Sequence, residues 1–421
     1  MGRLRVWFWD SHVARMRLLV FGVVLAATAV KLILAATTQG TNDVFNWAQF
    51  GEGVRRYGPI DIYGHRFRVG THLFPIYNHP PLMGWMLVLF NKLDDLGIPF
   101  RFMIRVPATL ADIVTTMLVF ELVRSRRSLL QATIAGVMVA SSPALIIVSG
   151  FHGNTDPVFL MLTFLSFSLL VNNRSATLAG LAYAFAMSVK IVPIVALPLL
   201  LLLVARSGRR RLYEFLGSSS VVFVVLWIPV LVKRWTPFKA DVLGFKGYPG
   251  KWGLVEIATK LGASKHAIAT LEGSGRTVLL VVAAAIPVLL LWKRPSATNE
   301  AFGLTFVLIL LLSTATGGRY LVWAVAAAFL IDVWAAVVYN VAASALLIIV
   351  YDRWSNALPW HWDRAHASDW VHREVVIAGI AWLALLAVAL LALRALWDHR
   401  PTPEDSPDLD SPQPADLSPV G

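Results

Sequence analysis

The sequence predicts an all-α polytopic membrane protein: a bundle of about twelve transmembrane helices, with juxtamembrane helices in its first extracytoplasmic loop. Composition is the first observation, because 57% of the 421 residues are hydrophobic and only 15% are charged. A soluble domain carries roughly a quarter charged residues. The second observation is that the apolar residues form long runs, and the third is that basic residues cluster between those runs.

The membrane spans are predicted from the apolar runs, since a span needs roughly 17 to 25 mostly apolar residues. The first run is too long for a signal-peptide core and has no small-residue cleavage site after it, so we expect a retained anchor. We expect spans at 18–37, 103–123, 128–149, 157–171, 175–189, 190–205, 212–232, 276–292, 300–316, 319–332, 334–351 and 375–396.

Orientation follows from the basic residues, which concentrate on the cytoplasmic side of membrane proteins. Their clusters fall on one side only if the segment "HPPLMGWMLVLFNKLDDLG", 79–97, lies along the interface instead of crossing. With that assignment both termini are cytoplasmic, and the protein is predicted in the plasma (inner) membrane. The clusters are Arg3, Arg5, Arg15 and Arg17, then Arg124, Arg126 and Arg127, then Arg174, then Arg206, Arg209, Arg210 and Arg211, and then Lys293 and Arg294.

The predicted organisation is one transmembrane domain, 18–396, between two cytoplasmic segments. A basic N-terminus, 1–17, precedes it, and a tail rich in Pro, Asp and Ser, 397–421, is expected to be disordered. Long extracytoplasmic loops are expected at 38–102, which carries interfacial helices, and at 233–275.

Composition excludes cysteine chemistry and disfavours nucleic-acid binding. The absence of cysteine excludes disulfides, thiolate metal sites and cysteine nucleophiles. The net charge of +12 is compatible with nucleic-acid binding, but the basic clusters lie between apolar runs, which favours a membrane and no nucleic acid.

Asp43 is the first candidate for chemistry, because it stands just beyond the first span in "NDVFNWAQF". Val44, Phe45, Ala48 and Gly51 follow at helical spacing, which predicts an amphipathic helix on the outer surface. The plain alternative is that Thr41, Asn42 or Asp43 simply caps this helix.

Further ionisable residues are predicted at the same outer face. "HGNTD" places His152, Asn154 and Asp156 in a tight turn, and "MSVKIVP" places Lys190 near an outer bend. Each has a structural alternative: Asp156 before Pro157 is a common helix start, and Lys190 can snorkel to headgroups. Together, however, ionisable groups at the edge of a bundle are costly and usually serve a substrate.

Four other charged residues are interpreted from their places in the predicted spans. Asp112 lies seven residues after Arg105, so the two are expected to form a structural ion pair on one helix face. Lys31 lies late in the first span and can reach outward or toward a cavity. Arg319, before Tyr320 in "GGRYLVW", can hold a phosphate with its forked donors or merely anchor the helix.

The ordered motifs resemble the GT-C superfamily of membrane glycosyltransferases, in particular polyprenyl-phosphate-mannose-dependent enzymes. The chain is similar to the family-87 bacterial enzymes and to the catalytic mannosyltransferase of glycosylphosphatidylinositol assembly. The motifs that carry this resemblance, spread over roughly 18 to 395, are "NDVFNWAQF", "YNHPPLMGWML", "ADIVTTMLVFEL", "SSPALIIVSGFHGNTD", "SVKIVPIVALP" and "GGRYLVWAV".

The resemblance implies an inverting glycosyltransferase that moves a sugar, mannose by family likeness, from a polyprenyl-phosphate donor to the hydroxyl of a glycolipid or glycan. Asp43 is expected to be the catalytic base. No metal or other cofactor is expected to be required, because a lipid monophosphate can leave with the help of cationic side chains alone. Donor-phosphate or substrate binding is assigned to Lys190, Arg319, His152, His79, Asp156, Asn154 and Tyr320.

The chain departs from the family pattern in three places. Relatives carry an Asp-x-Asp pair where only Asp43 stands here, Arg at the position of His152, and commonly Gln at the position of Arg319. The alternative function is a polytopic transporter or lipid flippase, which is expected to place charges near the bilayer midplane and to show symmetric halves. Neither feature is visible in this sequence.

Overall fold

The computed structural model describes residues 12–66, 68–69, 72–73, 76–245, 247, 252–315, 317–355, 371–394 and 396. The predicted disordered tail, 397–421, and most of the basic N-terminus lie outside these ranges. The predicted domain boundaries therefore stay predictions.

The first half of the chain is helical apart from one small antiparallel hairpin, in which Arg68 pairs with Leu73 and Val69 with His72. Its elements are α1 His12–Thr37, α2 Asn42–Asp61, β1 Arg68–Val69, β2 His72–Leu73, α3 Pro81–Asp95, α4 Phe100–Met103, α5 Val106–Arg124, α6 Leu129–Ala140, α7 Pro143–Leu145, a π-helical segment Ile146–His152, α8 Asp156–Val171 and α9 Ala176–Val189.

The second half continues as helices with short 3₁₀ and π segments between them. These elements are a 3₁₀ turn Val192–Ala196, α10 Leu197–Arg206, α11 Arg209–Leu226, α12 Ile228–Phe238, a π segment Lys239–Leu243, α13 Leu254–Lys260, α14 Lys265–Thr270, a π segment Leu271–Gly275, α15 Arg276–Lys293, a 3₁₀ turn Pro295–Ala297, α16 Thr298–Leu311, a 3₁₀ turn Gly318–Leu321, α17 Val322–Ala327, a 3₁₀ turn Ala328–Leu330, α18 Val333–Ser355 and α19 His372–Arg394.

The number of spans differs from the expected twelve. Within the described residues, six helices are long and apolar enough to cross a membrane, or seven if the pair bent by 65° at 226–228 counts as one span. Five further apolar helices are shorter, at 10–17 residues, and include Asp156–Val171, Ala176–Val189 and Gly318–Leu330. The count of twelve is therefore not confirmed, because several predicted spans are broken by 3₁₀ turns or prolines.

Lys31 and Asp112 join the first span to α5 deep inside the bundle. Lys31 Nζ lies 2.6 Å from Asp112 Oδ2, and the same oxygen accepts a hydrogen bond of 2.6 Å from Ser149 Oγ. Both charged side chains are almost completely buried. The predicted pairing of Asp112 with Arg105 is wrong, because Lys31, 81 positions away in the chain, reaches the carboxylate from α1.

Arg105 instead binds backbone oxygens at the end of the first span. Its fully buried guanidinium donates to the carbonyls of Leu34, Thr38 and Gly150 at 3.1–3.3 Å. The carbonyls at a helix C-terminus carry partial negative charge, which favours a cation there. Arg105 therefore ties the end of α1 to the π-helical segment Ile146–His152.

The basic clusters meet at the opposite end of the bundle. Arg17, at the start of α1, pairs with Glu121 at the end of α5, and Arg124 shares that carboxylate. Arg127 donates to the carbonyl of Ile331, and Arg206 donates to the carbonyl of Leu291. These helices run between a basic end and the end where α2 begins.

Helices α2 and α3 pack against each other beside the bundle. Gly51 allows close approach, since a Cβ there would meet Asn91 Oδ1 at 2.9 Å, and the amide of Asn91 donates to the Gly51 carbonyl at 2.8 Å. The buried face of α2 is formed by Val44, Trp47, Phe50, Gly51 and Val54. Two of the four residues predicted on that face, Phe45 and Ala48, are exposed.

Candidate functional site

Asp43 is positioned by a short loop between α1 and α2. Thr41 caps α2 by accepting a hydrogen bond from the backbone N–H of Asp43, so the carboxylate of Asp43 is not the cap. Gly40 has φ +83°, and a Cβ there would lie 2.6 Å from Nη2 of Arg105. The loop therefore needs glycine at position 40. Because Thr41 caps the helix, the Asp43 carboxylate is available for other contacts.

Two cationic or hydrogen-bonding side chains meet the Asp43 carboxylate. Oδ2 lies 2.9 Å from Nε2 of His152 and 3.5 Å from Nη1 of Arg319. The side chains of Asp43 and Arg319 are each 27% exposed. The pair is therefore partly accessible, as a site that receives a substrate requires.

His152 is the last residue of the π-helical segment and is nearly buried. Its Nδ1 lies 2.6 Å from the hydroxyl of Tyr351, and its backbone carbonyl accepts a hydrogen bond of 2.9 Å from Thr41. Gly153 follows with φ +77°, a left-handed conformation that ends the segment and turns the chain toward α8. His152 thus bridges Asp43 and Tyr351 through its two ring nitrogens.

The electrostatic balance keeps Asp43 ionised. Burial raises the pKa of its carboxyl, but the charge of Arg319 and then the contact with His152 outweigh burial, so the pKa lies well below its ordinary value. Because an ionised carboxylate only accepts hydrogen bonds, Nε2 of His152 must carry a hydrogen. In neutral His152, Nδ1 then accepts from the Tyr351 hydroxyl.

A second carboxylate, Asp156, holds Lys190. Asp156 is the first residue of α8 and is 0% exposed; it forms a short contact with Lys190 Nζ and accepts a 2.7 Å hydrogen bond from the indole of Trp323. Asn154 stabilises the turn, since its Oδ1 accepts from the Asp156 N–H at 3.2 Å. Lys190 follows α9 directly, at the break before the 3₁₀ turn, and 19% of its side chain is exposed.

Tyr320 lies between the two cations. Lys190 Nζ is 4.7 Å and Arg319 Cζ is 5.0 Å from the centre of its ring, which stacks on Trp323 at 4.5 Å. A ring face attracts cations, so Tyr320 supports both of them, and Trp323 supports Lys190, without neutralising either charge. The site therefore presents two positive groups beside two carboxylates.

His79 completes the described cluster from the segment before α3. Its ring packs against Trp47 with centroids 4.2 Å apart. Burial first, and then the charge of Lys190, lower the pKa of His79 from 6.5 to about 3. His79 is therefore neutral near pH 7 and contributes by packing, not by charge.

The eight residues singled out by sequence converge on one region from five parts of the chain. Sequence reasoning missed Tyr351, Trp323 and Trp47, whereas Thr41 was among the caps considered for α2. Trp323 had a signal, since it ends the quoted motif "GGRYLVW", whereas Tyr351 lies in an apolar helix with no motif around it. Among the described residues, no group of three or more His, Asp or Glu side chains has an arrangement suited to a metal ion.

Comparison with known proteins gives a family match for part of the chain. Residues 78–233 match the profile of the family described as "Dolichyl-phosphate-mannose-protein mannosyltransferase". That segment includes His79, His152, Asp156 and Lys190, but not Asp43 or Arg319. No curated protein matches the chain in sequence.

A solved structure is similar over most of the chain. The "Crystal Structure of ArnT from Cupriavidus metallidurans bound to Undecaprenyl phosphate" aligns with a TM-score of 0.50 and 15% identity, covering 90% of this chain and 77% of that chain. The chain has the GT-C fold. The GT-C fold implied by the resemblance in the sequence is thereby confirmed, and the apolar helices indicate an integral membrane protein.

Proposed function

We propose that this GT-C protein is an inverting glycosyltransferase that moves a sugar from a polyprenyl-phosphate donor to an extracytoplasmic acceptor hydroxyl. The observation that carries the proposal is the contact of Asp43 with His152 and Arg319, beside Lys190. Transfer to a hydroxyl needs a base, and departure of a lipid phosphate needs positive charge. Both requirements are met by side chains in one cluster.

The proposed reaction is a single displacement at the anomeric carbon. The acceptor oxygen forms a bond to that carbon while the bond to the phosphate oxygen breaks, and the polyprenyl phosphate leaves with the electron pair. Asp43 takes the hydroxyl proton, and Arg319 and Lys190 stabilise the charge that develops on the phosphate. Attack from the face opposite the phosphate inverts the configuration.

The remaining side chains are assigned supporting roles. His152 orients the carboxylate of Asp43, and Asp156 orients Lys190 through a contact that excludes solvent. Tyr320 is partly buried and is proposed to pack against a sugar ring, while the buried Trp47 supports the ring of His79. Asn154 holds the turn that carries Asp156, and its buried Nδ2 has no partner among the described residues.

The extracytoplasmic location of the site rests on charge. The basic clusters gather at the end of the bundle opposite Asp43, and the positive-inside rule assigns such an end to the cytoplasm. Mannose is proposed as the sugar because the matching family is described by a mannose donor. The acceptor is proposed to be a glycolipid or glycan hydroxyl.

The test is transfer by the purified full chain, reconstituted in lipid, from polyprenyl-phosphate mannose and from the corresponding glucose, arabinose and galactosamine donors. Transfer of the sugar from at least one donor, with inversion shown by NMR of the product, supports the function. The same assay with a chelator tests the proposal that no divalent metal is needed. The glycosyltransferase function would be contradicted if both hydrolysis and transfer stayed at background for every donor, with cell-envelope glycolipids supplied as acceptors.

The alternative of a transporter or flippase is separated by the same preparation. A flippase moves labelled donor lipid between leaflets without forming a new glycosidic bond, whereas the proposed enzyme consumes the donor. The position of the charged cluster at one end of the bundle, and not at its middle, favours the enzyme.

A further inference from the structure

Arg319 is engaged by the same carboxylate that is proposed to act as the base. Nη1 of Arg319 lies 3.5 Å from Oδ2 of Asp43, which is a charge contact longer than a normal hydrogen bond. His152 Nε2 lies 2.9 Å from that oxygen. The tighter contact of Asp43 is therefore with His152, and the looser contact is with Arg319.

The local backbone allows Arg319 to change partners while Asp43 stays in place. Asp43 is fixed by the Thr41 cap and by His152, and Thr41 also bonds the His152 carbonyl. Arg319 lies in a 3₁₀ turn, Gly318–Leu321, preceded by Gly317. A long side chain on such a turn can redirect its guanidinium without moving the helices on either side.

Resting on the proposed function, we infer that Asp43 and the donor phosphate compete for Arg319, so that binding of the donor releases the base. The donor phosphate diester carries one negative charge spread over two oxygens, so it offers Arg319 the same forked hydrogen bonds that a carboxylate offers. Once Arg319 turns to the phosphate, Asp43 loses one of the charges that stabilise its ionised form. The coupling is reciprocal: the factor by which ionised Asp43 weakens donor binding equals the factor by which bound donor favours proton binding at Asp43.

The pKa of Asp43 supports this coupling. Among the influences that lower it, the charge of Arg319 comes first, ahead of the contact with His152. Withdrawal of Arg319 therefore raises the pKa of Asp43 toward its ordinary range and makes the carboxylate a stronger base. Because its pKa rises, Asp43 takes the proton of the acceptor hydroxyl more readily when the donor is bound than when it is absent.

Lys190 behaves differently because its carboxylate is inaccessible. Asp156 is 0% exposed and also accepts the Trp323 hydrogen bond, so it cannot be replaced by a phosphate from the site. Lys190 has three ammonium protons and can bind a phosphate while it keeps Asp156. The two cations therefore differ in role: Lys190 stays bound to Asp156, whereas Arg319 binds either Asp43 or the donor phosphate.

The test is the affinity of the full chain, in phosphatidylcholine nanodiscs, for undecaprenyl phosphate without a sugar. If Asp43 competes for Arg319, Asp43→Asn binds about three- to tenfold more tightly than wild type, the effect of a partly exposed ion pair. In the Arg319→Gln background the same change leaves the affinity unaltered. Glu52→Gln removes a carboxylate from the exposed face of the same helix and is the matched control.

The outcomes separate the inference from the proposed function. If wild type binds undecaprenyl phosphate but Asp43→Asn binds equally or more weakly, the competition is wrong while the function stands. Tightening that persists in the Arg319→Gln background also overturns it. If wild type does not bind the lipid phosphate at all, the donor assignment fails and the inference fails with it. A thermal melt verifies folding, and Asp43→Ala gives a second variant, since Thr41 caps α2 without the carboxylate.

Discussion

His152 Nε2 lies 2.9 Å from Asp43 Oδ2, although the two residues are 109 positions apart in the sequence. The hydroxyl of Tyr351 lies 2.6 Å from Nδ1, the other nitrogen of the same ring. The three residues come from α2, the π-helical segment and α18. The contact therefore depends on the packing of elements from widely separated parts of the chain. It also fixes which nitrogen of His152 faces the carboxylate.

Removing the Tyr351 hydroxyl should impair turnover without unfolding the protein. Tyr351→Phe keeps the ring against Phe151 and Trp354 but leaves Nδ1 of His152 without its donor. We expect kcat to fall about three- to tenfold, the effect of one hydrogen bond, with the KM for donor unchanged. The measurement is steady-state transfer at varied donor, with Tyr213→Phe on the exposed face of α11 as control. A raised KM with normal kcat would contradict the positioning role of Tyr351.

The indole of Trp323 should be needed to keep the buried Asp156 satisfied. Trp323→Phe retains a ring beside Tyr320 but removes the 2.7 Å hydrogen bond to Asp156 Oδ2. A hydrogen bond to a charged group contributes about 1.5–3 kcal/mol, so the melting temperature should drop and donor KM should rise. Trp334→Phe, on an exposed part of α18, should change neither quantity. Equal melting temperatures for the two variants would show that Asp156 does not depend on the indole.

The buried pair Lys31–Asp112 should show strong coupling in a double-mutant cycle. Lys31→Met leaves a buried carboxylate without its cation and should cost about 3–5 kcal/mol, whereas Lys31→Met with Asp112→Leu should recover much of that loss. The exposed pair Arg210–Glu214 should couple by less than about 1 kcal/mol. Reversible unfolding in mixed detergent measures all the variants. Additive losses at Lys31 and Asp112 would contradict the pairing.

Stability should fall with acid partly because of His79. Its pKa is lowered from 6.5 to about 3 by burial and by Lys190, so below pH 6.5 the unfolded chain binds a proton that the folded chain refuses. The melting temperature should thus decrease from pH 6.5 toward pH 5 more steeply in wild type than in His79→Asn. Between pH 7 and 8 the two proteins should have parallel curves. Parallel curves in the acid range as well would show that His79 is accessible to solvent.

The positions of the helices were more predictable from the sequence than the number of helices that cross the membrane. Runs such as 18–37 and 334–351 are continuous in hydropathy and form single long helices, α1 and α18. The runs 190–205 and 319–332 are equally apolar, but Pro193 and the glycines before Arg319 introduce 3₁₀ turns that hydropathy does not detect. Composition predicts burial in lipid, whereas the local backbone decides where a helix breaks.

The clustering of the candidate residues was predictable from the sequence, but the pairings between them were not. Motifs in order along the chain indicated Asp43, His152, Asp156, Lys190 and Arg319. Which cation faces which carboxylate depends on helix rotation and tertiary packing, and helical spacing alone gave the wrong partner for Asp112. Tyr351 was missed because a tyrosine within an apolar span looks like any other core residue until its hydroxyl is placed.

The central claim is that the Asp43 carboxylate accepts the acceptor's proton, and Asp43→Asn in the transfer assay tests it most directly. The amide keeps the size and the surroundings of the side chain but is not a base. The account predicts that turnover falls by about 10² to 10⁴ in a protein with wild-type melting temperature, while Glu52→Gln stays within about twofold of wild type. Turnover by Asp43→Asn close to that of wild type would contradict it.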